Sequence, residues 1–166
     1  MGRVHYAASI ITENLKVTLD EEYMEKALAL ARKAAERDEV PVGAVVVDEN
    51  GEVIGEGFNR REELASPFAH AEMLAIDRAV KKLKTRRLIG CTLYVTLEPC
   101  PMCAGAIMNA QLKRVVYGAF DEKNGACASV TALFDEKFTH IPRVRSRVLE
   151  QRCGEVLTNF FKSKRK

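Results

Sequence analysis

The 166-residue sequence has no apolar run near the roughly 18 residues that a membrane-spanning helix needs, so we expect no membrane partner. It also lacks internal repeats and low-complexity linkers, which indicates a single domain. Neither sign of charge is in large excess, since 26 Lys and Arg against 23 Asp and Glu leave a formal net charge of +3. Apolar residues make up 47% and charged residues 30%, which is typical of a globular protein and excludes a disordered or collagen-like chain.

We expect no secretory leader, because the first 17 residues have neither a long apolar core nor a small-residue cleavage pattern. The 5 cysteines are an odd number, which argues against a disulfide framework and for a reducing compartment. We therefore expect a cytoplasmic protein. Residues 1–17 are interpreted as an N-terminal appendage of uncertain order, and residues 18–166 as the folded domain.

Hydrophobic periodicity predicts the order of the elements. Thr18 and Glu21 form a capping-box pattern at the start of an amphipathic helix that reaches about Arg37. Asn50-Gly51 predicts a hairpin between strands 42–47 and 53–58. Further along, the pattern predicts helices from near 70, from 103, over 128–134 and from 149, and strands at 92–97, 115–118 and 144–148. One hairpin followed by alternating helices and strands predicts an α/β fold, a three-layer α/β/α sandwich with a mixed five-stranded sheet.

Two motifs in the sequence carry metal-ligand chemistry, His70-Ala71-Glu72 and Cys100-Pro101-Met102-Cys103. Zinc takes imidazole and thiolate ligands, and three protein ligands leave a fourth position for water, as in catalytic zinc sites. Glu72 beside such a water suits a general base that becomes a general acid. Side chains two residues apart on a helix diverge by roughly 200°, so this arrangement requires His70 to precede the helix.

Two other interpretations fit parts of this pattern. The first is a structural zinc site with a fourth protein ligand, drawn from Cys91, Cys127, Cys153 or His140. The second is a redox-active Cys-x-x-Cys pair that follows a strand. A structural zinc site has no need of Glu72, and a redox pair leaves His70 and Glu72 unexplained. The catalytic metal site is therefore favoured.

The order H-x-E and then P-C-x-x-C resembles the signature of the zinc-dependent, cytidine deaminase-like enzymes. Within that superfamily the sequence most resembles the tRNA-specific adenosine deaminases, from about Asp20 onward. The matching segments are VPVGA at 40–44, GFNR at 57–60, HAE at 70–72, LYVTLEPC at 93–100, MCAGA at 102–106, GAFDEKNGA at 118–126 and NFFK at 159–162. The resemblance implies the cytidine deaminase-like version of the α/β/α sandwich.

The resemblance also implies one Zn2+ per subunit, held by His70, Cys100 and Cys103, with Glu72 as the proton shuttle. The reaction it implies is hydrolytic deamination of adenosine to inosine at the wobble position of a tRNA anticodon, carried out by a homodimer. A base in the anticodon loop is unstacked, which suits chemistry on the edge of that base.

Three residues are implied as substrate contacts. Asn59 is expected to hydrogen-bond the base ring, and Asp121 and Lys123 are expected to contact the flanking nucleotides. Taken without the resemblance, Asn59 is typical of a turn after a strand and the other two of a solvated charged turn. His140 lies in Thr139-His140-Ile141-Pro142, where the family usually has an Asn-His pair, so it is either an RNA contact or an ordinary loop histidine.

Two rival functions remain open on the sequence. One is a deaminase of a free base or nucleoside, of guanine or cytosine type, whose zinc motifs are indistinguishable from these. The other is a non-catalytic zinc scaffold or RNA-binding partner subunit, in which Glu72 would be expected to be replaced. Residues 142–166 hold 8 basic and 2 acidic residues, a net of +6 against −3 for residues 1–141, which allows an RNA partner, and the motifs supply the reason to expect one. Phe160 and Phe161 in the closing helix are predicted to pack in the core.

Overall fold

The computed structural model describes residues 3–165, and side chains from residue 19 onward. The helices are α1 (Arg3–Glu36), α2 (Ala71–Leu83), α3 (Pro101–Asn109) and α4 (Glu150–Lys164). The strands are β1 (Gly43–Val47), β2 (Val53–Phe58), β3 (Thr92–Leu97), β4 (Arg114–Ala119) and β5 (Arg143–Arg145). They form one five-stranded sheet in the order β2-β1-β3-β4-β5.

The sheet is mixed. β1 is antiparallel to both β2 and β3, whereas β3, β4 and β5 run parallel to one another. The predicted hairpin joins β1 to β2, with Gly51 at a φ of 80° in its turn. As a result β2, β3 and β4 all end at the same edge of the sheet, at Phe58, Leu97 and Ala119. The loops that leave this edge are where an open α/β sheet binds its ligands.

Successive side chains along each strand point to opposite faces of the sheet, so the core is divided between the two faces. Ala44, Val46 and Val95 pack with residues of α2 and α3 on one face. Val45 and Tyr94 pack with residues of α1 and α4 on the other. The predicted three-layer α/β/α sandwich is confirmed.

The glycines of β2 allow α2 to lie directly against the strand. A Cβ atom at Gly57 would collide with the Ala71 carbonyl oxygen and lie 2.8 Å from the Ala75 amide nitrogen. A Cβ atom at Gly55 would collide with the Ala75 carbonyl oxygen in the same way. Side-chain packing alone keeps helices and sheets farther apart, so these two glycines fix the depth at which α2 lies.

A buried carboxylate joins α1 to three strands. Asp20 is 2% exposed and accepts hydrogen bonds from the Tyr94 hydroxyl at 2.8 Å and from the Arg145 guanidinium at 2.7 Å. The Arg114 guanidinium donates to both of its oxygens, at 3.1 and 2.9 Å. Burial alone would raise the pKa of Asp20, but the hydrogen bonds from Arg114 and Tyr94 hold it below its usual value.

Three predicted boundaries are corrected. The first helix begins at Arg3, so Thr18 and Glu21 lie within α1 and do not cap its start. Residues 4–17 contain no proline or glycine that would interrupt it. The helix predicted over 128–134 is a turn followed by a 3-10 helix at Leu133–Asp135, and β5 ends at Arg145, short of 148. Within residues 3–165, every helix is too short or too polar to cross a bilayer.

Candidate active site

Both sequence motifs meet at the sheet edge where β2 and β3 end. His70 is the N-cap of α2, with φ −71° and ψ 152°, and Cys100 is the N-cap of α3, with φ −76° and ψ 172°. Their extended backbones precede the helices, so each side chain can point across the gap between the two helix starts. His70 thus precedes α2, the position that allows it to share a pocket with Glu72.

His70, Cys100 and Cys103 form a group that could hold a metal ion. Their ligand atoms all lie within 4.8 Å of one another. The Nδ1 atom of His70 is 3.6 Å from the sulfur of Cys100 and 3.6 Å from that of Cys103. A tetrahedral zinc with bonds of about 2.3 Å to sulfur and about 2.0 Å to nitrogen separates these atoms by roughly 3.5 Å. The donor set and its spacing therefore fit this ion.

Hydrogen bonding within the group favours the thiolate form of Cys100. A hydrogen bond from Cys103, with a further one from His70, lowers the pKa of the Cys100 thiol to about 4. The same pairing with Cys100 raises the pKa of Cys103 and that of His70. Cys100 also lies at the amino end of α3, where the free amide groups favour an anion. A thiolate, the form of cysteine that binds metals, is thus already favoured at this site.

Glu72 lies in the first turn of α2, beside this group. Its side chain is only 4% exposed. Burial raises the pKa of its carboxyl to about 7, against smaller opposing effects of a backbone hydrogen bond and of His70. A carboxyl with such a pKa can both accept and donate a proton near neutral pH.

A cavity of about 840 Å³ opens above the group. This volume lies within the range of roughly 300–1,000 Å³ that is typical of small-molecule sites. His70, Glu72 and Cys100 line its floor, and Asn59, Asp121 and Lys123 line it as well. All three predicted substrate contacts therefore share one cavity with the metal-ligand group.

The chain matches the family model of the MafB19-like deaminases over residues 19–165. It is 52% identical over 151 residues to a tRNA-specific adenosine deaminase of Bacillus subtilis (strain 168), spanning 90% of this chain and 93% of that protein. The chain belongs to the tRNA-specific adenosine deaminase family.

Solved structures agree with this assignment. One, from a study of A-to-I editing by tRNA:A34 deaminases at the wobble position of transfer RNA, matches with a TM-score of 0.79 and 47% identity, covering 82% of this chain and 99% of that one. A guanine deaminase from Nitrosomonas europaea matches with a TM-score of 0.75 and 26% identity, over 84% and 83% of the two chains. The predicted resemblance is confirmed, and the fold is the cytidine deaminase-like sandwich.

Asn59 holds a turn after β2 and also lines the cavity. It is 7% exposed, and its Nδ2 donates to the Val40 carbonyl at 3.2 Å while its Oδ1 accepts from the Arg61 amide at 3.3 Å. An amide nitrogen carries two hydrogens, so Nδ2 keeps one for a ligand. Asp121 has a local role as well, because its Oδ1 accepts from the Lys123 and Asn124 amides at 3.1 Å each.

The candidates for a fourth protein ligand do not join the metal group in the described part of the chain. Cys91 and Cys153 are buried in the core, on opposite faces of the sheet. Cys127 packs partly buried against the core, and burial raises its pKa to about 12. The Nε2–H group of His140 donates to the Leu112 carbonyl at 2.7 Å, which gives this histidine a structural role in its loop.

Near the cavity, sequence reasoning missed two buried carboxylates, Glu39 and Glu98, and misplaced the ring of Phe161. Glu39 is 1% exposed and accepts from the amides of Glu62 at 2.6 Å and Glu63 at 3.3 Å, which holds the loop after β2. Glu98 holds the loop after β4. Phe161, predicted to pack in the core, is 45% exposed and lines the cavity. For Glu98 a signal of burial does exist, because an acidic residue directly after a buried strand must find partners for its charge, but the identity of those partners has no signal in the sequence.

Proposed function

We propose that this chain deaminates adenosine to inosine at the wobble position of a tRNA anticodon, with one zinc ion per subunit held by His70, Cys100 and Cys103. The observation that carries the proposal is the buried carboxyl of Glu72 beside that ligand group, at the floor of the cavity. The tRNA-specific relatives, identical to this chain at about half of the aligned positions, support the choice of substrate.

Zinc, when bound, supplies a Lewis acid that makes water a competent nucleophile near neutral pH. Glu72 moves the protons of the reaction. Its carboxylate takes a proton from the water whose oxygen adds to C6 of adenine, and its carboxyl group then gives that proton to the departing amino nitrogen. The C6–N bond breaks, and the products are inosine and ammonia. The pKa of Glu72, raised by burial to about 7, suits both halves of this transfer.

The cavity walls supply the substrate contacts in this proposal. The remaining amide hydrogen of Asn59 donates to a ring nitrogen of the flipped base. Lys123 is exposed on the opposite loop and contacts a flanking phosphate, and Asp121 holds the turn that presents it. The half-exposed ring of Phe161 offers a stacking surface for a neighbouring base. A single unstacked nucleotide with its neighbours fits this arrangement better than a duplex does.

We further propose a homodimer that acts in the cytoplasm on tRNA. Large apolar side chains at the surface, among them Phe68 at 64% and Val130 at 61% exposure, support a second subunit. Sedimentation equilibrium of the zinc-loaded chain tests this proposal, and a single species with the monomer mass of 18.5 kDa would contradict it.

The decisive experiment compares substrates for the purified, zinc-loaded chain and its Glu72→Gln variant. The chain is incubated with tRNA transcripts, an anticodon stem-loop, guanine, cytosine and cytidine, and the products are measured by mass spectrometry alongside the zinc content. We expect inosine from the RNAs only, and a loss of at least about 10³-fold in Glu72→Gln with zinc retained. Loss of zinc together with activity would make Glu72 a ligand and refute the proton transfer.

The same experiment decides between the proposal and a free-base deaminase. The likeness to the guanine deaminase of Nitrosomonas europaea is the observation that favours this second candidate. Turnover of guanine without turnover of RNA would replace the tRNA proposal. Turnover of no substrate by a fully zinc-loaded chain would point to a non-catalytic partner subunit.

A further inference from the structure

Glu98 is a buried carboxylate for which the proposed mechanism has no use. It follows β3 directly, two residues before Cys100, and is 2% exposed. Its Oε2 accepts from the backbone amides of Cys127, Ala128 and Ser129 at 3.2, 3.1 and 3.0 Å. Its Oε1 accepts from the Asp121 amide at 3.3 Å and from the Ser129 hydroxyl at 2.5 Å. Five donors therefore converge on one carboxylate.

These donors belong to one segment, residues 120–129, which we call the substrate loop. Its first half lines the cavity with Phe120, Asp121 and Lys123. Its second half lacks helical hydrogen bonds because three consecutive amides point at Glu98 instead. The loop is also closed by the Gly125 amide, which donates to the Asp121 carbonyl at 2.8 Å. The shape of the loop thus depends on an acceptor that comes from outside it.

The same short connection between β3 and α3 carries Glu98 and Cys100. We propose that Glu98 is a positioning residue that holds the substrate loop at a fixed place relative to the metal-ligand group, and thereby sets the affinity for the RNA nucleotides that flank the target base. The inference rests on the proposed function. In this inference two residues of one connection have different tasks, because Cys100 holds the metal and Glu98 holds the substrate loop, which contacts RNA.

A glutamine at position 98 tests this role with little change in shape. Its carbonyl oxygen can still accept from the three consecutive amides, but its NH2 group then faces the Asp121 amide, donor against donor. Glu98→Gln should therefore release the Asp121 end of the loop. Gly125→Ala perturbs the other oxygen of Glu98 from the loop side, because a Cβ atom there would collide with Oε2, which accepts from the three consecutive amides. Gly105→Ala in α3 is the matched control for Gly125→Ala, because it makes the same chemical change where a Cβ atom meets nothing within 4 Å.

The experiment uses the zinc-loaded full chain. Affinity for a fluorescent anticodon stem-loop is measured by anisotropy in the Glu72→Gln background, and the single-turnover rate at saturating RNA is measured with Glu72 intact. Hydrogen exchange of peptides over 120–130 reports the loop directly, and zinc content reports the metal group. We expect Glu98→Gln and Gly125→Ala to weaken RNA binding about tenfold or more and to speed exchange in the loop alone. Their zinc content and saturated rate should stay within about threefold of the parent, as should every readout of Gly105→Ala.

Unchanged RNA affinity and unchanged loop exchange in both Glu98→Gln and Gly125→Ala would overturn the inference. So would a loss of zinc or of the saturated rate with the RNA affinity intact, because Glu98 would then act on the metal side. If Glu98→Gln fails to fold, Gly125→Ala decides, since it leaves the β3–α3 connection untouched. A parent chain that neither binds nor deaminates the RNA would refute the proposed function, whereas loop exchange would still decide whether Glu98 holds the loop.

Discussion

Replacing Gly57 with alanine would place a methyl group against the backbone of α2, the helix that carries Glu72. The added Cβ would lie 2.8 Å from the Ala75 amide nitrogen, where ordinary contacts begin at 3.4 Å, so the helix must retreat by at least about 0.6 Å. The Ala71 carbonyl, next to His70, lies in the same collision. Overpacking of this kind costs about 1–3 kcal/mol of stability.

The displacement should affect chemistry more than folding. A misplacement near 1 Å at a catalytic group can cost about 10²-fold in rate, so we expect Gly57→Ala to lower kcat/KM for the anticodon stem-loop by about tenfold or more. Urea unfolding measures the stability, and inosine formation with zinc analysis measures the activity per metal-loaded site.

Gly105→Ala is the matched control. It makes the same chemical change within α3, at a position where a Cβ atom meets nothing within 4 Å. Alanine is the better helix former, so we expect this variant to gain about 0.5–1 kcal/mol and to keep its activity. If Gly57→Ala unfolds at the same urea concentration as the parent and deaminates at the same rate, close contact with β2 is not what fixes α2.

Three further substitutions follow from the contacts described above. Asp20→Asn should lower the free energy of unfolding at pH 7 by about 2–3 kcal/mol, less than for a fully buried pair because its arginine partners are 29% and 36% exposed. The pKa of Asp20 is depressed in the folded state, so this stability is present above the unfolded pKa of about 3.9 and is lost as the pH falls through the folded value. Urea titrations from pH 7 to pH 3 should therefore show the difference in free energy of unfolding between parent and variant becoming smaller. Replacing Lys162, Lys164, Arg165 and Lys166 with Gln should weaken RNA binding and reduce the slope of log K against log salt by up to about 3, at about 0.7 per phosphate contact on a single strand. An unchanged slope would separate the tail from the RNA site. His140→Ala should cost about 1–2 kcal/mol by freeing the Leu112 carbonyl, with RNA affinity unchanged; weaker RNA binding at equal stability would make His140 an RNA contact.

The metal-ligand group was predictable because its motifs are local. Cys100 and Cys103 lie one helical turn apart, and the position of Glu72 two residues after His70 requires a helix that starts between them. The strands of the sheet were predictable for a similar reason, since short β-branched runs bounded by turn residues specify them. Chemistry that depends on a few neighbouring residues can be inferred before any fold is known.

The roles of Glu98 and Phe161 were not predictable in this way. The amides that Glu98 holds come from residues 23 to 31 positions later, and backbone amides leave no signature in the sequence. Phe161 follows a helical apolar pattern, but Cys153, near the start of α4, is the only buried side chain of that helix, so the pattern does not bury its far end. Tertiary placement decides both cases.

The hydrogen bonds of Asp20 have a consequence for the order of folding. Its partners are Tyr94, Arg114 and Arg145, which lie 74, 94 and 125 positions later in the chain. Contacts of such long range form late, and a chain emerging from the ribosome amino end first carries this carboxylate without the last of its partners, Arg145, until β5 has been made. The first helix of the domain is therefore held by all of its contacts only after β5 has been made, and a nascent chain stalled before residue 143 should leave α1 more sensitive to proteases than the full chain does.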